Sequence, residues 1–209
     1  MSAITLRNAT AYVAQYVILK GERIVARLPG VAPGGVMLVP VDDAFQIIAT
    51  SVIDGNSYTS APKEVSAAMD FLAQVVQVPA QGTYEFRVVQ TPASSPDQLQ
   101  FQKTCLGPVT FTFLKNGVLL QRVVVSNSFE MVSLTIGGTF SIYAVINGIT
   151  TATLTTVNPN VGVTAVQDTS DLEFGYFTLV LSTESPTVGA KAVQDNSDLE
   201  SGYFTLNVT

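Results

Sequence analysis

The chain has 209 residues, of which 47% are hydrophobic and 12% are charged, and its formal net charge is −6. This composition argues against intrinsic disorder, because enough apolar residues are present to form a sizeable core. The ten Lys and Arg residues form no basic cluster. Nucleic acids and anionic membrane surfaces are bound largely through positive charge, so we expect neither as a partner.

The residue types that most enzymes rely on are missing. The chain contains no His, the usual general base near neutral pH and a common metal ligand. It also lacks a glycine-rich loop of the phosphate-binding kind. The adjacent acids Asp42 and Asp43 indicate a turn, because neighbours on a strand point to opposite faces. We therefore predict no enzymatic activity and no cofactor, with Ca²⁺ as the one exception.

The N-terminal sequence indicates a protein that is made in the cytoplasm. Residues 1–15 have no positively charged region followed by an apolar core, so no secretory signal is predicted. The longest apolar runs fall short of the roughly 18–20 residues of a membrane helix. A virion or an extracellular particle would then be reached by cell lysis or by a route without a signal. The single Cys105 rules out a disulfide within the chain, and we expect a small buried residue, with an intermolecular disulfide as the alternative.

Turn signals between β-branched and aromatic runs predict an all-β fold. The turns are Lys20-Gly21, Asp54-Gly55, Asn116-Gly117 and Asn147-Gly148. Asn-Gly and Asp-Gly suit the type I′ turns of hairpins, in which both central residues have positive φ. Each turn therefore predicts a β-hairpin. Residues 69–78 have an ambiguous pattern, which we interpret as a strand rather than a helix.

The strand signals recur in the same order in both halves of the chain. The matched pairs are Lys20 with Asn116, Phe45 with Phe140, Asp54 with Asn147 and Tyr84 with Tyr176, at offsets of 96, 95, 93 and 92. This order predicts two diverged copies of one seven-strand unit. We expect two tandem immunoglobulin-like antiparallel β-sandwich units, residues 1–90 and 109–182, joined by a linker over 91–108. A duplicated β-hairpin follows at 183–209.

A tyrosine near the start of the last strand of each copy, Tyr84 or Tyr176, resembles the tyrosine corner of the immunoglobulin fold. Seven short strands in about 90 residues are also typical of that sandwich. The Cys, Trp and Cys residues of antibody domains are absent, so the resemblance is to the architecture, over most of the chain. Tandem modules of this kind occur in phage virion and bacterial surface proteins, and the resemblance therefore implies a structural role.

The last residues repeat the hairpin that precedes them. Residues 188–209 match residues 161–182 at an offset of 27, with 15 identities in 22 positions. A lone hairpin is marginal in water, so the copy must pair with something. It extends the second sandwich of its own chain, exchanges with the same hairpin of a neighbouring subunit, or has no mechanical consequence. The residues predicted to make an assembly contact are Val188, Ala192, Val193, Tyr203, Phe204 and Leu206.

The turn of each hairpin copy is rich in carboxylates. Ca²⁺ takes several oxygen ligands, which such a turn can supply. The candidate ligands are Asp168, Asp171, Glu173, Asp195, Asp198 and Glu200. Neither loop has the EF-hand pattern, and Asp, Asn and Ser also favour tight turns without a metal. The sequence therefore leaves a metal site and plain turn chemistry as alternatives.

Low charge, tandem units and a spare hairpin favour a structural protein. We expect a virion component, such as part of a phage capsid, a tail or a decoration protein, or a filament subunit. Its partners would be further copies of itself or other structural subunits. The alternative is a carbohydrate- or surface-binding lectin or adhesin module, for which Asn56, Tyr58 and Asn127 are candidate contacts.

Overall fold

The computed structural model describes residues 2–168 and 177–182 in full, and the backbone of residues 190–194 and 204–208. Strands form the regular structure of this part of the chain, which contains no helix and confirms the all-β class. The strands are β1 (Ala3–Asn8), β2 (Ala14–Lys20), β3 (Arg23–Arg27), β4 (Val36–Pro40), β5 (Phe45–Ile53), β6 (Asn56–Thr59), β7 (Lys63–Val65), β8 (Met69–Val78), β9 (Thr83–Pro92), β10 (Gln98–Lys103), β11 (Val109–Lys115), β12 (Val118–Val125), β13 (Val132–Thr135), β14 (Phe140–Ile146), β15 (Ile149–Thr150), β16 (Leu154–Thr156), β17 (Gly162–Gln167), β18 (Phe177–Ser182), β19 (Ala190–Gln194) and β20 (Phe204–Val208).

The local predictions are confirmed. Each of the four turn signals joins two paired strands, namely β2–β3, β5–β6, β11–β12 and β14–β15. Asp54, Asn116 and Asn147 have φ angles of 51°, 51° and 50°. These are the positive values that a type I′ turn needs. Residues 69–78 form β8, a strand as expected.

One sandwich, which we name the terminal sandwich, is built from both ends of the chain. Its sheets have the strand orders β18-β17-β1-β4 and β15-β14-β2-β3, with β16 paired to β14. Alternate side chains of both sheets point into one core, as the period-2 pattern requires. That core includes Ile4, Leu6, Tyr16, Ile18, Phe140, Ile142, Val163 and Phe177.

The other sandwich, which we name the inserted sandwich, lies between the two halves of the terminal one. Its sheets have the orders β13-β10-β8-β9 and β12-β11-β5-β6, with β7 paired to β5. Aromatic side chains dominate its core, which includes Phe45, Phe71, Phe86, Phe101, Phe111 and Phe113. The rings of Phe71 and Phe101 stack at 5.3 Å with an interplanar angle of 8°.

The two sequence copies exist, but they exchange halves. In the first copy's pairing, Asn8 lies opposite Ala165, and the equivalent residue Lys103 of the second copy lies opposite Ala73. In the same way, Ala14 lies opposite Ile146, and Val109 lies opposite Ser51. The first copy is therefore β1–β9 and the second β10–β18. The offset is 95 from Asn8 to Lys103, from Ala14 to Val109 and from Ser51 to Ile146, and it is 92 from Ala73 to Ala165. The strands β1–β4 of the first copy pair with β14–β18 of the second, and β5–β9 pair with β10–β13.

This exchange corrects the predicted domain boundaries. The units 1–90 and 109–182 are not separate sandwiches, and each copy has nine strands rather than seven. The predicted linker 91–108 contains β10, which is an inner strand of its sheet. Its residues Leu99 and Phe101 are buried in the aromatic core, so this segment is part of the inserted sandwich. The sandwich order along the chain is terminal, inserted, terminal.

Charged side chains hold the junction between the sandwiches. Lys20 Nζ lies 2.7 Å from Asp43 Oδ2, and Arg23 Nη2 lies 2.6 Å from Asp43 Oδ1. Lys115, which matches Lys20 in the repeat, lies 3.1 Å from Asp42. The two acids therefore occupy the segment that connects β4 to β5, as the turn interpretation predicted, and each binds a lysine of a different copy.

The tyrosine-corner resemblance is not supported at Tyr84. Its side chain is 70% exposed at the start of β9, whereas a corner tyrosine is buried. Tyr176 lies outside the described residues. Among the described tyrosines, the fully buried one is Tyr16 on β2, whose hydroxyl donates to the carbonyl of Arg7 at 2.5 Å. Burial raises the pKa of Tyr16 to about 12.

Candidate functional site

Strand β4 presents an open edge of the terminal sandwich. It is the last strand of its sheet and pairs only with β1 in the described part of the chain. The Gly35 carbonyl accepts from the Asn8 amide, and the Val41 amide donates to the Ser2 carbonyl. Backbone groups alternate in direction along a strand, so those of Val36 and Leu38 point away from β1.

The side chains of this edge are apolar. Val36 is 56% exposed and Leu38 is 59% exposed, while Val39 is buried in the core. Natural edge strands normally carry a charge, a bulge or a cover that blocks further pairing. Strand β4 reads Val-Met-Leu-Val-Pro, and only Pro40, at its end, is of the blocking kind. The edge is thus suited to receive another strand.

The matching outer strand of the other copy, β13, is shorter and exposes the polar residues Ser133 and Thr135. Strand β13 has the place of β4 in its own sheet and pairs with β10 over four residues. At the far end of that sheet, β9 carries Glu85 and Arg87, which are both exposed. Charges on an edge strand disfavour the addition of another strand. Of these three edges, β4 is the best candidate for a contact between chains, because it is uncharged, unlike β9, and exposes apolar side chains, unlike β13.

The ionic cluster at the junction is structural rather than a reactive site. Burial raises the pKa of Asp43, but hydrogen bonds and charge from Lys20 and Arg23 outweigh it and hold that pKa below its usual value. Arg23 is almost fully buried, and its guanidinium lies 4.6 Å from the centre of the Phe45 ring. Burial lowers the pKa of Arg23, and Asp43 opposes that change. Asp43 thus accepts from Lys20 and Arg23 and links the sandwiches, while Arg23 Nε is buried without a hydrogen-bond partner among the described residues.

An open groove of about 580 Å³ runs along the junction. It is lined by Gln15, Tyr16, Val17, Arg27, Leu28, Pro29, Val118, Tyr143 and Val145. Arg27 is the only charged residue in this lining, and its Nε donates to the Leu120 carbonyl across the junction. Its charge therefore already serves to hold β3 against β12.

Most of the predicted calcium ligands lie outside the described residues. These are Asp171, Glu173, Asp195, Asp198 and Glu200. Asp168 immediately follows β17 and already interacts with another group of the protein. Among the described residues, no group of three or more carboxylate, Cys or His side chains could hold a metal. The calcium hypothesis is not tested by these residues.

The predicted assembly residues fall on the last two strands and beside them. Val188 and Tyr203 lie outside the described residues. Ala192 and Val193 are in β19, and Phe204 and Leu206 are in β20. The backbone registers Ala192 opposite Leu206. The structure therefore forms the predicted hairpin from these strands.

The candidate lectin contacts lie apart. Asn56 and Tyr58 are on β6, and Asn127 follows β12. These strands are the opposite edges of one four-strand path, roughly 14 Å apart at about 4.8 Å per strand. The Tyr58 ring also packs at 6.5 Å from that of Phe86. The candidate residues are therefore placed at opposite edges of this sheet.

Cys105 is a free cysteine and is buried, as the sequence predicted. Burial raises the pKa of its thiol, and the charge of Lys103 opposes this change. A thiol with a raised pKa is a poor nucleophile at neutral pH. Cys105 therefore does not present a reactive thiol on this surface.

No protein-family model matches the chain, and no match was found among curated proteins or among solved structures. Among the described residues, no helix is long and apolar enough to cross a membrane. The function is therefore inferred from the residues of this chain.

Proposed function

We propose that the protein is a non-enzymatic structural subunit that assembles with copies of itself through open sheet edges. The observation that carries this proposal is the edge of β4, where uncharged Val36 and Leu38 are both exposed. An apolar edge with unpaired backbone groups is a template for pairing with another chain. Burial of these groups in an assembly removes that liability.

The composition supports a particle subunit over a freely diffusing module. Only 12% of the residues are charged, which leaves much of the surface uncharged. Large exposed side chains include Leu106, Val118, Phe129 and Val157 in addition to those of β4. Exposed apolar surface is typical of proteins that are covered by partners. A virion component or a filament subunit is the class of protein that we infer.

The assembly is tested by light scattering coupled to size-exclusion chromatography over a wide range of concentrations. We expect the unmodified chain to form oligomers and Leu38→Lys to weaken self-association by about tenfold or more, which is about 1.4 kcal/mol. Val52→Lys is the matched control. Val52 is 57% exposed, but it lies on the inner strand β5, so this change should leave assembly intact.

A chain that stays monomeric at every concentration would exclude self-assembly. Equal loss of oligomers in Leu38→Lys and Val52→Lys would show that added charge, rather than the β4 edge, controls association.

A further inference from the structure

The hairpin of β19 and β20 is a sheet with too few strands. Its strands pair over five residue pairs, from Ala190 opposite Val208 to Gln194 opposite Phe204. In the described part of the chain, no third strand is paired to either of them. An isolated two-stranded hairpin is marginally stable in water. A neighbouring strand would stabilise it.

The hairpin cannot take the place of the hairpin that it copies. Strands β17 and β18 pair in the same register at an offset of 27, since Ala165 opposite Leu179 corresponds to Ala192 opposite Leu206. Strand β17 joins its sheet through β1, and β4 occupies the other side of β1. Both sides of β1 are therefore filled, so the copy needs a different edge.

The edge of β4 and the strand β20 suit each other. Both have five residues, and neither contains a charged residue, whereas β19 contains Lys191. The sequence of β20 alternates Phe204, Leu206 and Val208 with Thr205 and Asn207. Such alternation gives one apolar face that can continue the apolar surface of Val36 and Leu38. Main-chain hydrogen bonds to the outward groups of β4 would supply the affinity.

We propose that β20 of one copy pairs with the open edge of β4 in a second copy, an inference that rests on the proposed self-assembly. Each chain offers one β4 edge and one β20 strand, which are different surfaces. The contact is therefore heterologous, head to tail, and generates a closed ring or an open filament. Within a single chain of the structure, β4 and β20 are not paired with each other.

Two full-length variants, each blocked at one side of the contact, test this pairing. Leu38→Lys places a charge on the receiving edge, and Leu206→Lys places one on the donated strand. We expect each variant alone to be monomeric where the unmodified chain is oligomeric. An equimolar mixture should form a species of two chains and nothing larger, because only one intact edge and one intact strand then meet. Val52→Lys should assemble like the unmodified chain.

The alternatives give different patterns. If Leu206→Lys assembles normally while Leu38→Lys does not, two β4 edges pair with each other and the inference is wrong. If Leu38→Lys assembles and Leu206→Lys does not, the hairpins pair with each other, and the inferred pairing of β20 with β4 is again wrong. Two monomeric variants that stay monomeric when mixed also contradict it. A monomeric unmodified chain would instead reject the proposed function itself. Unchanged melting temperatures would show that both variants keep the two sandwiches folded.

Discussion

The two sandwiches contain the same backbone turn with different residues in it. In the terminal sandwich, the Gly34 amide donates to the Asn8 carbonyl at 2.7 Å, and in the inserted one the Phe129 amide donates to the Lys103 carbonyl at 3.0 Å. Gly34 has a φ of 71° and Phe129 a φ of 65°. The positions match at the repeat offset of 95. The chain geometry is thus common to both copies, although glycine suits it and phenylalanine does not.

The buried residue beneath this turn also differs. Asn8 donates to the carbonyls of Tyr12 and Val31 at 2.7 and 2.8 Å and accepts from the Thr10 amide. Lys103 donates to the Cys105 carbonyl at 3.2 Å and to Ser128 at 3.4 Å. An amide satisfied on both sides is a better buried group than a cation with two neutral acceptors. The terminal sandwich therefore has the more favourable residue at both positions, Asn8 and Gly34.

The hairpin turns of the two copies give the largest expected contrast. Gly21 has a φ of 61°, and a Cβ there would lie 2.4 Å from the Thr135 carbonyl oxygen. Asn116 holds the matching position, with a φ of 51°. We expect Gly21→Ala to lower the free energy of unfolding by about 3 kcal/mol, because left-handed strain adds to the clash with backbone. Asn116→Ala should cost about 1 kcal/mol. Chemical denaturation of both variants measures the difference.

Equal losses in these two variants would mean that the close approach of Gly21 to Thr135 does not constrain the junction. The segment between β13 and β14 would then be able to shift without cost. A larger loss in Asn116→Ala would reverse the comparison between the two turns.

The buried groups Asn8 and Lys103 give the next contrast. Asn8→Ala leaves the buried Thr10 amide without its acceptor, and we expect a loss of about 2 kcal/mol in the free energy of unfolding. Lys103→Met keeps a long side chain and removes a buried charge, so stability should rise by up to about 1 kcal/mol. Denaturant titration gives both values. A loss in Lys103→Met as large as that in Asn8→Ala would show that the two hydrogen bonds of Lys103 outweigh its desolvation.

Local patterns were sufficient to predict the strands and the repeat, but not the partners of each half. The four turns and the strand 69–78 depend on neighbouring residues, and these predictions are confirmed. The exchange of halves depends on contacts between distant residues. It places Phe101 beside Phe71, and Leu6 opposite Val163. Without the exchange, Phe71 would face Leu6, and the aromatic stack would be lost.

The candidate site was less predictable than the fold. A sequence shows that residues 36–40 are apolar and uncharged, but it does not show that β4 ends its sheet, since that position depends on strand order. The predicted assembly residues of β19 and β20 form the hairpin that the duplication indicated. An uncharged strand bounded by Gly35 and Pro40 was the available signal for the edge, because proline is mostly confined to edge strands.

The matching turns at Gly34 and Phe129 give the smallest expected effect, and opposite substitutions at these two positions can be compared directly. Phe129 is 81% exposed, so its ring contributes little to the core, while its left-handed backbone is strained. We expect Phe129→Gly to raise the free energy of unfolding by about 0.5–1 kcal/mol, after the extra flexibility of glycine in the unfolded chain is subtracted. Gly34→Ala should lower it by a similar amount, because open space surrounds Gly34 and strain alone changes.

Phe129→Ala separates strain from the ring. It removes the aromatic side chain but retains a Cβ in the left-handed region. The free energy of unfolding should therefore stay within about 0.5 kcal/mol of that of the unmodified chain, as measured by thermal unfolding. If Phe129→Gly instead destabilises the protein as much as Gly34→Ala does, the ring must pack against the chain more than its exposure indicates. If the two glycine changes have opposite signs, the strained Phe129 is not retained for the stability of the single chain. A contact outside that chain would then be the remaining physical reason to keep an exposed ring at a position that glycine fits better.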